Sequence, residues 1–251
     1  MLLHLVYERT FQLFILALIL FSISMLSFAQ NLPAPNSMYV ATNCFLHEGY
    51  KLRDAVEEAR SNPFEGPLNI AFRQPIATPQ AGENEFMRIV AWENLAAWVD
   101  ADAASTDINT ADTYLCNESR RRFFTSRELG ENSGLSLGDG STLLTVTACT
   151  LKHGVSHSDA YDWLNARTLD REARGDTRVS SMVLGVLGRS ENGGELGRLF
   201  GVRSAGRSAS EMAMAMDKIW SEDGQAPDYA MTPAESCQNP VLYRTFFVNA
   251  N

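Results

Sequence analysis

What most constrains this chain is that it is written twice. Cys44-Phe45-Leu46-His47-Glu48-Gly49 is matched by Cys149-Thr150-Leu151-Lys152-His153-Gly154, with Cys, Leu and Gly in step. Ten residues after each Cys stands an Asp-Ala pair, Asp54-Ala55 and Asp159-Ala160. Runs of β-prone residues, 38–42 and 143–147, precede the two cysteines. Downstream, residues 86–92 resemble residues 196–202, which sets Arg88 opposite Arg198. Later in each half a Cys, Cys116 or Cys237, precedes a Phe-Phe pair, Phe123-Phe124 or Phe246-Phe247. Several matches in the same order indicate an internal repeat, and a repeat dictates architecture before any single residue does.

Each half reads as the same string of elements. A strand ends at the Cys, a Leu-x-x-Gly turn follows, and a helix runs over 50–61 or 156–173. In the second half Ser156 and Asp159 have the spacing of a capping box. Two strands joined by a Gly-containing turn come next, 68–76 with 85–92 and 178–188 with 196–202. A second helix, 95–104 or 208–220, leads to a last strand that carries the Phe-Phe pair. Strand–helix–strand–strand–helix–strand is the split βαβ order of a ferredoxin-like unit. Residues 131–140, rich in turn formers, read as the linker between repeat 30–130 and repeat 141–251.

The first 29 residues read as a signal peptide. No charge interrupts residues 11–29, and Ser27-Phe28-Ala29 places small residues at a cleavage site before Gln30. An uncleaved anchor is the alternative, because the uncharged run approaches the ~20 residues of a spanning helix. Either way the remainder lies outside the cytoplasm, periplasmic or secreted. The segment carries one Arg and one Glu, so the formal net charge of −9 survives its removal. An acidic body argues against non-specific nucleic-acid binding, which needs a basic surface. No later apolar stretch is long enough to span a bilayer, so no membrane contact is expected after cleavage.

The two-repeat pattern, with a strand ending in Leu46-x-x-Gly49 or Leu151-x-x-Gly154 before a helix, resembles the dimeric α+β barrel superfamily. The resemblance implies an α+β fold in which two tandem ferredoxin-like (βαββαβ) repeats pack sheet to sheet as a pseudo-dimeric α+β barrel. That superfamily includes monooxygenases, haem enzymes, isomerases and proteins without known activity, so fold alone does not choose a function. In such a unit the first and last strands are neighbours. The resemblance, with the duplication, therefore implies bridges Cys44–Cys116 and Cys149–Cys237 out of three pairings. Four buried free thiols are the alternative, disfavoured in an oxidising compartment.

Candidate ligand-binding residues are Arg88, Arg198, His47 and His153. If the two arginines point between the sheets they would clamp a carboxylate or phosphate; if outward, they are solvated strand charges. His153 and His157 stand four apart, but His153 falls in the turn before the helix and the first half has no counterpart to His157, so no metal site is expected. No histidine has the setting of a proximal haem ligand, and no cofactor is expected. Arg120-Arg121-Arg122 reads as a solvated strand start, and no phosphate loop or nucleophile elbow occurs. The expectation is an exported protein that takes a small molecule between its sheets. The rival reading is a cofactor-independent enzyme, monooxygenase- or isomerase-like, that uses the same cavity.

Overall fold

Strand alternation sorts the side chains of this protein into two apolar layers. The computed structural model describes residues 32–62, 66–76, 82, 84–104, 111–118, 121–131, 141–187, 196–221 and 232–248. The account below is of the unit Pro33–Asn251. The expected signal peptide, residues 132–140 of the linker and most of the expected turns at 78–82 and 190–194 lie outside the described residues.

The first half runs β1 (Ser37–Leu46), α1 (Leu52–Ser61), β2 (Asn69–Pro75), β3 (Glu85–Trp92), α2 (Leu95–Ala104), β4 (Tyr114–Cys116) and β5 (Arg122–Leu129). The second runs β6 (Ser141–Leu151), α3 (His157–Ala173), β7 (Val179–Leu187), β8 (Leu199–Gly206), α4 (Ala209–Ser221), β9 (Ala234–Cys237) and β10 (Val241–Phe247). A 3-10 turn, Leu196–Arg198, precedes β8. The strands hydrogen-bond in the order β2-β3-β1-β5-β7-β8-β6-β10, and β10 pairs back onto β2. The result is a closed eight-stranded antiparallel barrel in a mixed α/β fold, with four α-helices among the described residues. Closure leaves the ring no free edge.

One face of each strand meets a helix. Cys44, Phe72 and Phe86 pack with Leu52, Ala55 and Val56 of α1, and Cys149, Val183 and Phe200 pack with Ala160 of α3. The alternate residues Ala41, Ala71, Ile89 and Phe247 form a separate interior cluster. An eight-stranded barrel is just wide enough to be filled by side chains or to hold one small ligand.

Every residue of the repeated motif has a physical task, and the task is the same in both halves. Leu46 and Leu151 are core residues. Gly49 and Gly154 have φ of 87° and 78°, the left-handed region where a Cβ is penalised. Asp54 accepts from the Lys51 N–H at 2.7 Å and Asp159 from the Ser156 N–H at 2.8 Å, so each closes the first turn of its helix. Ala55 and Ala160 are fully buried. Disulfides join Cys44 to Cys116 and Cys149 to Cys237. They tie β1 to β4 and β6 to β9, short strands just ahead of the last strand of each half that the sequence reading did not identify as strands.

Two of the sequence matches are out of register. Cys44 lies opposite Phe86 and Cys149 opposite Phe200, so Phe86 corresponds to Phe200. Arg88 therefore corresponds to Val202, and Arg198 stands where Asn84 does, ahead of its strand. Likewise Tyr39 faces Phe124 and Leu144 faces Tyr243, which makes Phe123-Phe124 the counterpart of Leu242-Tyr243, with Phe246 further along. Both slips are by an even number of residues. In a strand of period two an even slip leaves the in–out alternation unchanged, so pattern matching does not detect it.

Candidate functional site

The interior faces of the strands surround a cavity of about 300 Å³. Its wall is mostly apolar, with Met87, Ile89, Phe124, Met182 and Leu184 prominent. Two buried arginines break that pattern, Arg73 on β2 and Arg203 on β8. Each is 7% exposed, and the Nε of each is buried without a hydrogen-bond partner. No carboxylate and no imidazole occurs among the described lining residues. Burial, and then the positive charge of Arg203, push the pKa of Arg73 down to about 10. Tyr39 and Tyr243 line the same space. Burial raises the Tyr243 hydroxyl above its ordinary value, an effect that Arg73 and Arg122 oppose.

A third orphan lies beside the pair. Thr245 is directly opposite Arg73 in the β10–β2 ladder, fully buried, and its Oγ1 has no partner. At the corresponding place in the other half, Ser37 and Ser126 share a hydrogen bond of 2.7 Å. The second half has no such bond, because Thr142 donates instead to the Gly206 carbonyl at 2.6 Å. The solvent-facing rim carries exposed Gln238, Asn239 and Arg122. Arg122 donates from Nη2 to Asn43 Oδ1 at 2.8 Å.

The frame is duplicated but the charges are not. By ladder register Arg73 corresponds to Leu184, and Arg203 to Ile89. Tyr243 corresponds to Phe124 and Tyr39 to Leu144. The two halves of the chain thus contribute different polar groups to one space.

None of the four residues singled out from sequence lines the cavity. Arg88 points to the helix side, where its Nη2 donates to Glu118 Oε1 at 2.5 Å; Glu118 also accepts from Arg121 Nε at 2.6 Å. Arg198 donates from Nε to the Leu151 carbonyl at 2.9 Å and from Nη1 to His153 Nε2 at 3.2 Å, and it pairs with Glu235. His47 is exposed in the first turn, and its backbone N–H donates to the Thr113 carbonyl. Arg198 and His153 are therefore neighbours, while Arg88 and His47 stand apart from them. The cause is parity: Arg88 shares its face with Phe86, and Phe86 belongs to the layer beneath α1.

The arginines that do face inward had a weaker mark in the sequence. Arg73 has Ala71 two residues before it, and Arg203 is flanked at two residues by Gly201 and Ala205. Small neighbours on the same face leave room for a long side chain to cross a crowded interior. Haem, which the fold resemblance admits, does not fit this wall. The usual axial donors His and Cys are absent from the described lining residues, and the other side chains of ligating type there, Tyr39, Tyr243, Met87 and Met182, stand beside two buried cations that disfavour a further positive centre.

No family model matches the chain, and no curated protein is similar to it. Among solved structures it is similar to an anthrone oxidase-like protein, at 13% identity over 86% of this chain and 95% of that one, TM-score 0.47. It is also similar to chlorite dismutase from Candidatus Nitrospira defluvii, at 9% identity over 85% and 92%, TM-score 0.44. A proposed monooxygenase from Lactobacillus acidophilus NCFM gives 9% identity over 85% and 95%, TM-score 0.43. On its own strand order, the closed eight-stranded ring has the architecture of the dimeric α+β barrel.

Proposed function

We propose that this chain is an exported binding protein for a small organic anion, held inside a barrel built from two fused ferredoxin-like units, residues 30–130 and 141–251. The observation that carries the reading is the pair Arg73 and Arg203. Both are cations more than nine-tenths buried, with orphaned Nε atoms, facing a cavity whose described wall has no negative charge. Buried charge is costly unless something pairs with it, and a carboxylate or other oxyanion matches the guanidinium fork. The apolar wall supplies the remaining affinity.

Identical strand order supports the fused-unit reading: β2-β3-β1-β5 in one half and β7-β8-β6-β10 in the other. Two disulfides support export, since such bridges persist in oxidising compartments. Among the described residues no helix is long and apolar enough to cross a membrane. The binding reading stands above acid–base catalysis because arginine and tyrosine are the only titrating groups that the described wall offers, and neither exchanges protons readily near neutrality.

Calorimetric titration at neutral pH tests it, with benzenesulfonate as the acid and benzyl alcohol as a neutral control. The acid is expected to bind and the alcohol not. The double variant Arg73→Met/Arg203→Met is expected to weaken the acid by about 100-fold or more, the loss of two charge-assisted contacts. Equal binding of acid and alcohol, or acid binding indifferent to the double variant, overturns the reading.

A further inference from the structure

The two guanidiniums bear on how much charge the ligand carries, an inference that rests on the anion-site reading above. Arg73 and Arg203 come from different halves of the chain, on strands that do not pair with each other, yet both line one cavity. They are not related by the internal repeat, so their meeting is not a by-product of duplication. Like charges sharing an apolar chamber repel strongly, because little solvent screens them. A ligand with one negative charge neutralises one guanidinium and leaves the other buried and uncompensated. Leaving one buried charge unpaired is the expensive arrangement. The orphaned Nε atoms of both arginines add donors that call for several acceptor oxygens in one place.

We propose that the site takes a dianion: an oxyanion head group bearing two negative charges, phosphonate- or phosphate-monoester-like or a compact dicarboxylate, on a small apolar body. The head lies between Arg73 and Arg203. The body lies against Met87, Ile89, Phe124 and Leu184, which leave no further polar demand on it. Exposed Arg122 at the rim adds a third positive charge on the way in. In a protein of formal net charge −9, a positive mouth of this kind draws anions to one place on the surface.

The test compares ligands that share a phenyl ring and differ in charge. Benzenesulfonate and phenylphosphonate have the same shape, and at pH 8.5 the second carries two charges to the first's one. Phthalate is the planar dicarboxylate arm. With the wild-type protein the dianions are expected to bind at least ~10-fold more tightly than benzenesulfonate. The better of phenylphosphonate and phthalate identifies the head-group geometry. In Arg73→Met and in Arg203→Met separately, the ratio of dianion to benzenesulfonate affinity is expected to fall to within about two-fold. A cooperative thermal transition shows that the variants fold. Wild-type affinities that do not rise with the second charge overturn the dianion and leave the anion site standing. Failure of all three ligands to bind overturns both.

Discussion

A guanidinium held in an apolar barrel works against the fold that holds it, and Arg73 shows the sign. Its pKa in the folded protein, about 10, lies well below that of an ordinary guanidinium. For a base depressed in this way the penalty is fully present below about pH 10. The penalty is relieved as pH rises from there toward the ordinary guanidinium value, an interval in which the unfolded chain still holds the proton and the folded one does not. Arg73→Met is therefore expected to stabilise the ligand-free protein, on the order of 3 kcal/mol from the displaced pKa. Thermal unfolding at pH 7 reads this as a rise in Tm of roughly 5–10 °C. The gain should shrink as the wild type is carried above pH 10, where anion binding also weakens. A variant less stable than wild type at neutral pH contradicts the buried unpaired charge. Position 73 is thus predicted to exchange stability for binding, a trade common at functional sites.

At the scale of elements, the repeat preserves how helices begin more faithfully than what they cover. The Asp159 carboxylate is held below the usual carboxylate range by hydrogen bonds from the Ser156 side chain and backbone N–H. An acid depressed in this way contributes stability above its ordinary pKa of 3.8, and loses it as pH falls through the lower folded value. Ser156 Oγ in turn accepts from the Asp159 N–H at 3.1 Å. Ser156→Ala is expected to cost about 1 kcal/mol at pH 7 by urea unfolding, with the gap from wild type narrowing below pH 3.8. The helix α1 uses Lys51 and Asp54 at the same places, where the lysine offers no acceptor, so Asp54 carries the cap alone. The even-numbered slips belong to this scale too. Reading strands by likeness located them within a few residues and left their faces open, and it paired Arg88 with Arg198 because alternation does not fix register. Ladder hydrogen bonds, with Cys44 opposite Phe86 and Cys149 opposite Phe200, do. The second half also carries a bulge at Thr150/Leu151, where Glu235 is the extra residue of β9 and reaches Arg198.

For the whole molecule, closure and cross-linking act together. The bridges span 72 and 88 residues of sequence, and each restrains the unfolded chain by about 4 kcal/mol on the chain-entropy account. Reduction is expected to lower the denaturant midpoint markedly, and more so in protein without ligand. One intact-mass measurement on the protein recovered from its native host checks both the proposed processing and the pairing. It should begin at Gln30 and weigh about four mass units less than its reduced form, one hydrogen for each Cys. A chain still carrying Met1, or no mass change on reduction, overturns the respective reading.

Whereas the cysteine pairing needed the family resemblance beside the repeat, the sequence by itself determined the repeated motif and the turns and caps that launch each helix. These depend on local chemistry: a left-handed turn needs glycine, a first helical turn needs an acceptor, and a motif seen twice shows which residues serve it. The tertiary structure alone decided what the cavity is made of. Arg73 and Arg203 are 130 residues apart in sequence and have no repeat relation. They meet because β10 closes onto β2 and brings the interior faces of both halves around one space. Which face of a strand looks inward, and what lies across a barrel from it, is fixed by register and closure. Neither is a property of any short stretch of chain.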